Sequence, residues 1–340
     1  MIARRLTAQL LAGPPARDPV EVTSRLLAVQ AQDPRGARLA IRARSAGLTA
    51  ADVDRALTLD RSLVITWLNR GTLHLVAHED YWWLHALTTP PLLTGNARRL
   101  AQEGVTPQSA ERGVAAIERA LADEGPLSRE QLRERIAAAG VRTEGQALIH
   151  VLMLSCLRGL AVRGPMVEGR HAYVLVRDWL GRPQPVDREL ALGELAHRYL
   201  AGHGPAEDRD LARWSGLPLR DVRAGLGAIA SELREQDDGL LDLARRPAPA
   251  ELPPPLLLGA FDPLLLGWCS REALLGANRS IVTVNGLFRP FALVRGRAVA
   301  TWSIAGDEVT LKPFAPLAPE DRTELDSQAR DVVRYLRSAS

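Results

Sequence analysis

Apolar positions along this chain fall mostly at helical spacing and, in a few stretches, at alternating spacing. Val22, Leu26 and Val29 mark one face of a helix expected at 21–31, with others expected at 2–11 and 50–58. A β stretch at 63–76 follows, with Asn69-Arg70-Gly71 at its middle as a turn or bend. Two later blocks repeat each other at an offset of 79 residues. In the first, Val114, Ile117 and Leu121 line a helix that stops at Gly125-Pro126; Ser128 caps a second helix and a third runs over 146–158. In the other, Leu192, Leu195 and Leu200 stop at Gly204-Pro205, a second helix starts at Asp208, and a third covers 219–233. Each block ends in short β segments, at 160–163 and 173–176 in the first and 240–243 in the second. Three helices closed by a β-ribbon is the winged-helix plan.

After the proline-rich link 247–255 the texture changes to strands at 291–294, 298–302 and 308–311, the first pair joined by a tight Arg295-Gly296-Arg297 turn. A small sheet or barrel is expected there, then a helix over 319–336. The expected fold class is therefore α+β. It has three tandem winged-helix units, at 1–100 (with the candidate chemistry), 101–182 and 183–250, and a C-terminal small β-barrel with a helix at 251–340.

Composition narrows the classes. The 340 residues are 46% hydrophobic and 24% charged, an ordinary globular balance of two or three compact units. No apolar run approaches the ~18 residues of a membrane span, and the basic N-terminus reads as an amphipathic helix instead of a signal peptide. Cys156 and Cys269 stand alone, which gives no disulfide framework and suits a reducing cytoplasm. No metal is expected, since His74 and His78 are the only close candidates and nothing joins them.

Net charge is only +3, but its distribution is uneven. Residues 1–100 hold 13 basic and 8 acidic side chains, and the rest of the chain has no surplus of base. Arg25, Arg35, Arg38, Arg42 and Arg44 accompany the single acid Asp33, a pattern that fits either a polyanion-binding stripe or a solvated helix face. All but one of the 43 basic residues are arginine, whose planar fork suits phosphate and base stacking.

Three stretches could carry chemistry. In Gln30-Ala31-Gln32-Asp33-Pro34, the proline disfavours helix at Asp33, so the helix is expected to fray near residues 31–32. Both glutamines could then share one cleft at the negative pole of the helix dipole, where a cation is favoured; the same spacing also fits two solvated glutamines before a turn. In Arg70-Gly71-Thr72-Leu73-His74, alternation puts Thr72 and His74 on one face of a strand beside Arg70. That arrangement suits a binding ribbon, although a lone histidine there is more often structural. The third stretch pairs Gly259-Ala260-Phe261-Asp262-Pro263 and Gly267-Trp268 with Asn285-Gly286-Leu287-Phe288-Arg289-Pro290. There Asp262 reads as a turn former, and Arg289 could reach phosphate or pair with Asp262.

Together, Gln30-Ala31-Gln32, the run Arg70 to Val76, Asp262-Pro263 with Gly267-Trp268, and the strands between Arg289-Pro290 and Thr301-Trp302 resemble the AlkZ-like DNA glycosylases. The resemblance covers nearly the whole chain in the same order. It implies three tandem winged helices and a β-barrel, C-shaped around a DNA channel, with no metal or organic cofactor. The family's catalytic pair falls on Gln30 and Gln32, and glutamine at 32 resembles the AlkZ branch over the Q-apolar-D branch. That branch implies a monofunctional glycosylase that removes bulky N7-alkylguanine or unhooks interstrand crosslinks in double-stranded DNA, as self-resistance to an alkylating natural product. Arg35, Arg38, Arg70, Thr72, His74 and Arg289 are the expected DNA-contacting residues, on a cytoplasmic monomer. The competing expectation is a non-enzymatic winged-helix DNA-binding protein, a regulator or adduct-sequestering protein, in which the two glutamines would have no purpose.

Overall fold

The computed structural model describes residues 1–337 apart from 184, 237, 238, 277, 279, 284 and 285. Two compact units emerge, one of Met1–Val53 with Glu189–Ser340 and one of Asp54–Arg188.

The first unit starts with helices Ile2–Ala8, Pro19–Leu26 and Pro34–Arg42, the last of which periodicity missed. Three Asp-Pro dipeptides act alike in this unit. Asp18, Asp33 and Asp262 each accept a backbone N–H from the first turn that follows, and each proline occupies a first-turn position where its missing N–H costs nothing. Pro34 therefore opens a helix where the sequence reading had it close one. Gly36 lets this helix pack on the loop at Gly259-Ala260, since a Cβ there would lie 2.4 Å from the Ala260 carbonyl oxygen.

The second repeat block belongs to this unit. Helices Arg188–His203, Asp208–Ser215 and Leu219–Ala228 are followed by strands Leu233–Glu235 and Leu241–Leu243, paired antiparallel. The C-terminal sheet runs in the order Glu308–Pro313, Arg297–Ala305, Phe291–Val294, Leu256–Leu258, antiparallel throughout. Its first and last strands are edges, so among the described residues it is an open sheet and not the expected barrel. With its two edge strands unpaired to each other, the sheet leaves one face to be covered by another element instead. Helix Pro319–Arg337 covers that face, joining Leu325 and Val332 to Leu39, Leu257, Ala292 and Trp302 in one core.

The strands of the second unit lie in the order Thr72–Ala77, Leu63–Leu68, Ala161–Val167, Arg170–Leu175, two hairpins joined through Ile65 and Arg163. Helices Pro107–Glu124, Arg129–Ala138 and Ala147–Leu157 precede the second hairpin, the order that the repeat predicted. Ser128 and Gln131 form a reciprocal capping box at the predicted start. Ala147–Leu157 is apolar nearly all round because it is the central, buried helix. Helices Tyr81–Thr88 and Pro90–Gln102, which apolar spacing does not reveal, also belong to this unit.

Candidate active site

The glutamine pair owes its geometry to one strained turn. Helix Pro19–Leu26 stops well before the expected boundary because Leu27 takes φ 66° and ψ −42°. The Ala28 N–H donates to the Leu26 carbonyl at 2.8 Å, which closes a γ-turn of the rare, strained hand. Leu27 is wholly buried, and that packing holds the strain. The chain leaves this turn extended, with Val29–Gln30 as a short strand. Residues two apart on an extended chain share a face, so Gln30 and Gln32 meet without any fraying helix. The Gln30 Nε2–H donates to Gln32 Oε1 at 2.7 Å.

Gln30 is 6% exposed while Gln32 lies open to solvent. The bond between them leaves the Gln30 amide oxygen and the Gln32 amide N–H groups for a ligand. The pair stands just before the N-terminus of helix Pro34–Arg42, which is the positive pole of a dipole and not the expected negative one. Asp33 answers that pole by accepting the Arg35 N–H at 3.0 Å.

The arginine stripe does not survive as a stripe. Arg42 is buried, donating to Asp331 at 2.6 Å and to the Leu257 carbonyl at 2.7 Å; burial lowers its pKa and Asp331 works against that shift. Arg44, fully buried, holds both oxygens of Asp262 at 2.9 and 2.8 Å and also donates to Gln9 Oε1. Arg25 donates to the Ala8 carbonyl. Arg38 is 8% exposed and donates to the Pro34 carbonyl, while Arg35 stands exposed. Arg289 is also exposed, so the pairing considered between Arg289 and Asp262 is replaced by Arg44 with Asp262. Asn285 lies outside the described residues.

On the second unit, Thr72 and His74 do share a face, with Thr66 directly opposite His74. His74 is 3% exposed, and its Nδ1–H donates to the Thr72 carbonyl at 2.9 Å, which leaves Nε2 to accept from the Thr72 hydroxyl at 3.5 Å. Burial, then the Arg70 charge, push its pKa down to about 3. The imidazole is therefore held neutral near neutral pH, which argues against a role as general acid. Arg70 sits exposed at the hairpin turn. Asn69, at φ 55° and 1% exposed, has no partner among the described residues for either amide atom, and the Thr66 hydroxyl has none among them. The sequence reading saw Asn69 only as a turn residue; an asparagine fits a left-handed turn, and no pattern marked its burial.

Among the described residues no three histidine, cysteine or carboxylate side chains cluster as a metal set, and no helix is long and apolar enough to cross a membrane.

A family model described as "DNA glycosylase AlkZ-like" matches residues 23–335, a span that includes both glutamines. The chain is a DNA glycosylase, and its partner is DNA. It belongs to the AlkZ-like family. A relative from Streptomyces sahachiroi, described as "Interstrand DNA cross-link repair glycosylase", is 28% identical over 92% of this chain and 90% of its own length. The solved structure of Streptomyces sahachiroi DNA glycosylase AlkZ superposes with a TM-score of 0.79 at 25% identity, covering 98% of this chain and 95% of that one.

His203 is as deeply buried as His74, stacked on Tyr199 with ring centres 4.8 Å apart, and burial likewise lowers its pKa to about 3. Both imidazoles are neutral in the folded chain and protonate freely once it unfolds. The unfolded state therefore takes up more protons as pH falls below about 6.5, and stability declines from there down to about 3. Each histidine contributes up to about 1.4 kcal/mol per pH unit inside that window. The melting temperature is expected to fall between pH 7 and pH 5, with a shallower fall in His74→Gln and His203→Gln. Identical slopes in all three proteins would contradict it.

Proposed function

We propose that this chain hydrolyses the N-glycosidic bond of bulky N7-alkylguanine in double-stranded DNA, with Gln30 and Gln32 as its catalytic pair. The observation that carries this reading is the 2.7 Å bond between the two amides, within the span matched by the family model. Alkylation at N7 places a positive charge on the guanine, which makes it a good leaving group without protonation. The enzyme then has to position water and stabilise an oxocarbenium-like sugar. Gln32 fixes the Gln30 amide, and the Gln30 oxygen, held in a low-dielectric setting, accepts from the attacking water and faces the developing positive charge. Neutral amides give little help to an uncharged guanine, so undamaged DNA is spared by chemistry as well as by fit.

Arg35 and Arg289 on one unit, and Arg70 on the other, are exposed cations suited to phosphate. In this reading Arg38 stiffens the helix that follows the pair, while Thr72 and His74 shape the Arg70 hairpin. The three-helix blocks with their hairpins act as winged helices, in the three segments 1–100, 101–182 and 183–250 set out from the sequence, and residues 251–340 form the fourth segment. The relative's description supports unhooking of interstrand crosslinks. Glutamine at 32, through its resemblance to the AlkZ branch, adds to this reading a role in resistance to a DNA-alkylating natural product, by a cytoplasmic monomer.

A single-turnover assay tests this on three duplexes, carrying one bulky N7-alkylguanine, one N7-guanine interstrand crosslink or no damage, with alkali cleavage revealing abasic sites. Abasic product is expected from both damaged duplexes. Excision of unmodified guanine at a similar rate would sink the charge argument, and no product from either damaged duplex would sink the substrate assignment.

A further inference from the structure

The chain has only four phenylalanines, and Phe291 alone of them is buried in the core. Phe261 and Phe288 are half-buried and lie against each other, with ring centres 5.6 Å apart and planes at 45°. The Arg271 guanidinium sits 5.1 Å from the centre of the Phe288 ring, anchored by its Nε–H to the Leu265 carbonyl at 2.5 Å. Burial, and then the charge of Arg213, lower the pKa of this arginine. Next to Phe288 in sequence, Leu287 is 56% exposed and Arg289 is exposed.

Phe261 reaches this position at a cost. Its φ is 56°, a region that a bulky side chain rarely adopts, and its neighbours Ala260 and Asp262 are both buried. The backbone is bent so that one aromatic ring leaves the interior between two residues that stay inside it. Strain of this kind persists where the surroundings over-determine it and collects at ligand-binding positions. Location agrees: Ala260 is the residue against which Gly36 packs, and Gly36 lies four residues beyond Gln32. Beside the rings runs an open cleft of about 620 Å³, lined among others by Ser270, Arg271, Asn278 and Val282, with Glu272 as its carboxylate. Val282 is bridged to Phe288 through the backbone.

We infer that Phe261 and Phe288, backed by Arg271, form a stacking platform for a nucleobase that has left the duplex stack beside the lesion. A partner that offers flat π faces together with negative charge matches paired rings flanked by Arg271 and Arg289, and an unstacked nucleotide has both. A glycosylase must loosen the stack around its target, and a base displaced near Gln32 has this surface within reach. The inference rests on the family's DNA glycosylase activity; the N7-alkylguanine reading enters only through one substrate of the test.

The test measures binding of the whole chain to a duplex with 2-aminopurine opposite a tetrahydrofuran abasic analogue, which leaves the fluorescent base unpaired and so less costly to draw out of the stack. Wild type is expected to quench the 2-aminopurine on binding. Phe288→Ala is expected to bind this duplex about tenfold more weakly and to lose the quench, while keeping wild-type affinity for fully paired DNA and an unchanged melting temperature. Phe288→Trp should restore both signals, and Phe261→Leu, which keeps the bulk and removes the ring, should lose them. Equal affinity and equal quenching in wild type and Phe288→Ala would overturn the platform. Single-turnover excision of N7-alkylguanine runs in parallel. A quench that depends on Phe288, without excision by wild type, would support the platform and defeat the substrate reading.

Discussion

Replacing Gln30 by alanine is expected to slow single-turnover excision about a hundredfold or more, the usual cost of losing one preorganised polar group at a developing charge. Affinity for intact duplex should hardly change, because a residue that is 6% exposed and bonded to Gln32 offers little to the phosphate backbone. The two glutamines are not equivalent, and the variants can show it. Gln32→Ala removes the acceptor that orients Gln30 and should cost less than Gln30→Ala. Gln32→Glu keeps an oxygen that can accept the Gln30 Nε2–H, so it should retain more activity than Gln32→Ala. If orientation is the only task of residue 32, the ranking is wild type, Gln32→Glu, Gln32→Ala, Gln30→Ala. Excision by Gln30→Ala within twofold of wild type would remove the pair from the chemistry. Gln32→Glu falling below Gln32→Ala would mean that the Gln32 N–H groups, and not its oxygen, meet the substrate.

How much of this was legible in the sequence follows from which interactions are local. The repeated helices and their hairpins were readable because apolar spacing, Gly-Pro stops and caps such as Ser128 act within a few residues. The shared face of Thr72 and His74 follows from alternation alone. The glutamines did come together, but the reason given for it was wrong. A fraying helix end was expected, whereas a γ-turn at Leu27 supplies an extended segment; leucine is a poor signal for positive φ, and the tertiary packing that forces it has no local signature. The arginine stripe misled for a related reason. Charge counts along a chain cannot show that Arg42 ends on Asp331 and Arg44 on Asp262, partners more than two hundred residues away. Aromatic residues 27 apart, such as Phe261 and Phe288, escape in the same way.

The largest effect on stability should come from that distant pairing. Arg44 and Asp262 are both wholly buried, and each is satisfied chiefly by the other. The carboxylate also accepts the Leu264 N–H at 2.9 Å, and the guanidinium also donates to Gln9 and to the Ala40 carbonyl. Asp262→Ala strands the guanidinium with two neutral partners, and Arg44→Met strands the carboxylate with one N–H. Either is expected to cost about 3–5 kcal/mol, the range for breaking a buried pair from one side, out of a total that is commonly only about 5–15 kcal/mol. Arg44→Lys should not rescue, since a point charge cannot hold two carboxylate oxygens and Gln9 together. Arg44→Met with Asp262→Leu removes both charges at once and should be more stable than either single variant in urea unfolding. The consequence reaches the candidate site, because Asp262 follows Phe261 and fixes the loop whose Ala260 seats Gly36. In the double variant, then, most of the stability should return while 2-aminopurine quenching stays impaired. A double variant no more stable than Asp262→Ala would instead assign the cost to the lost cap on Leu264 and not to a stranded charge.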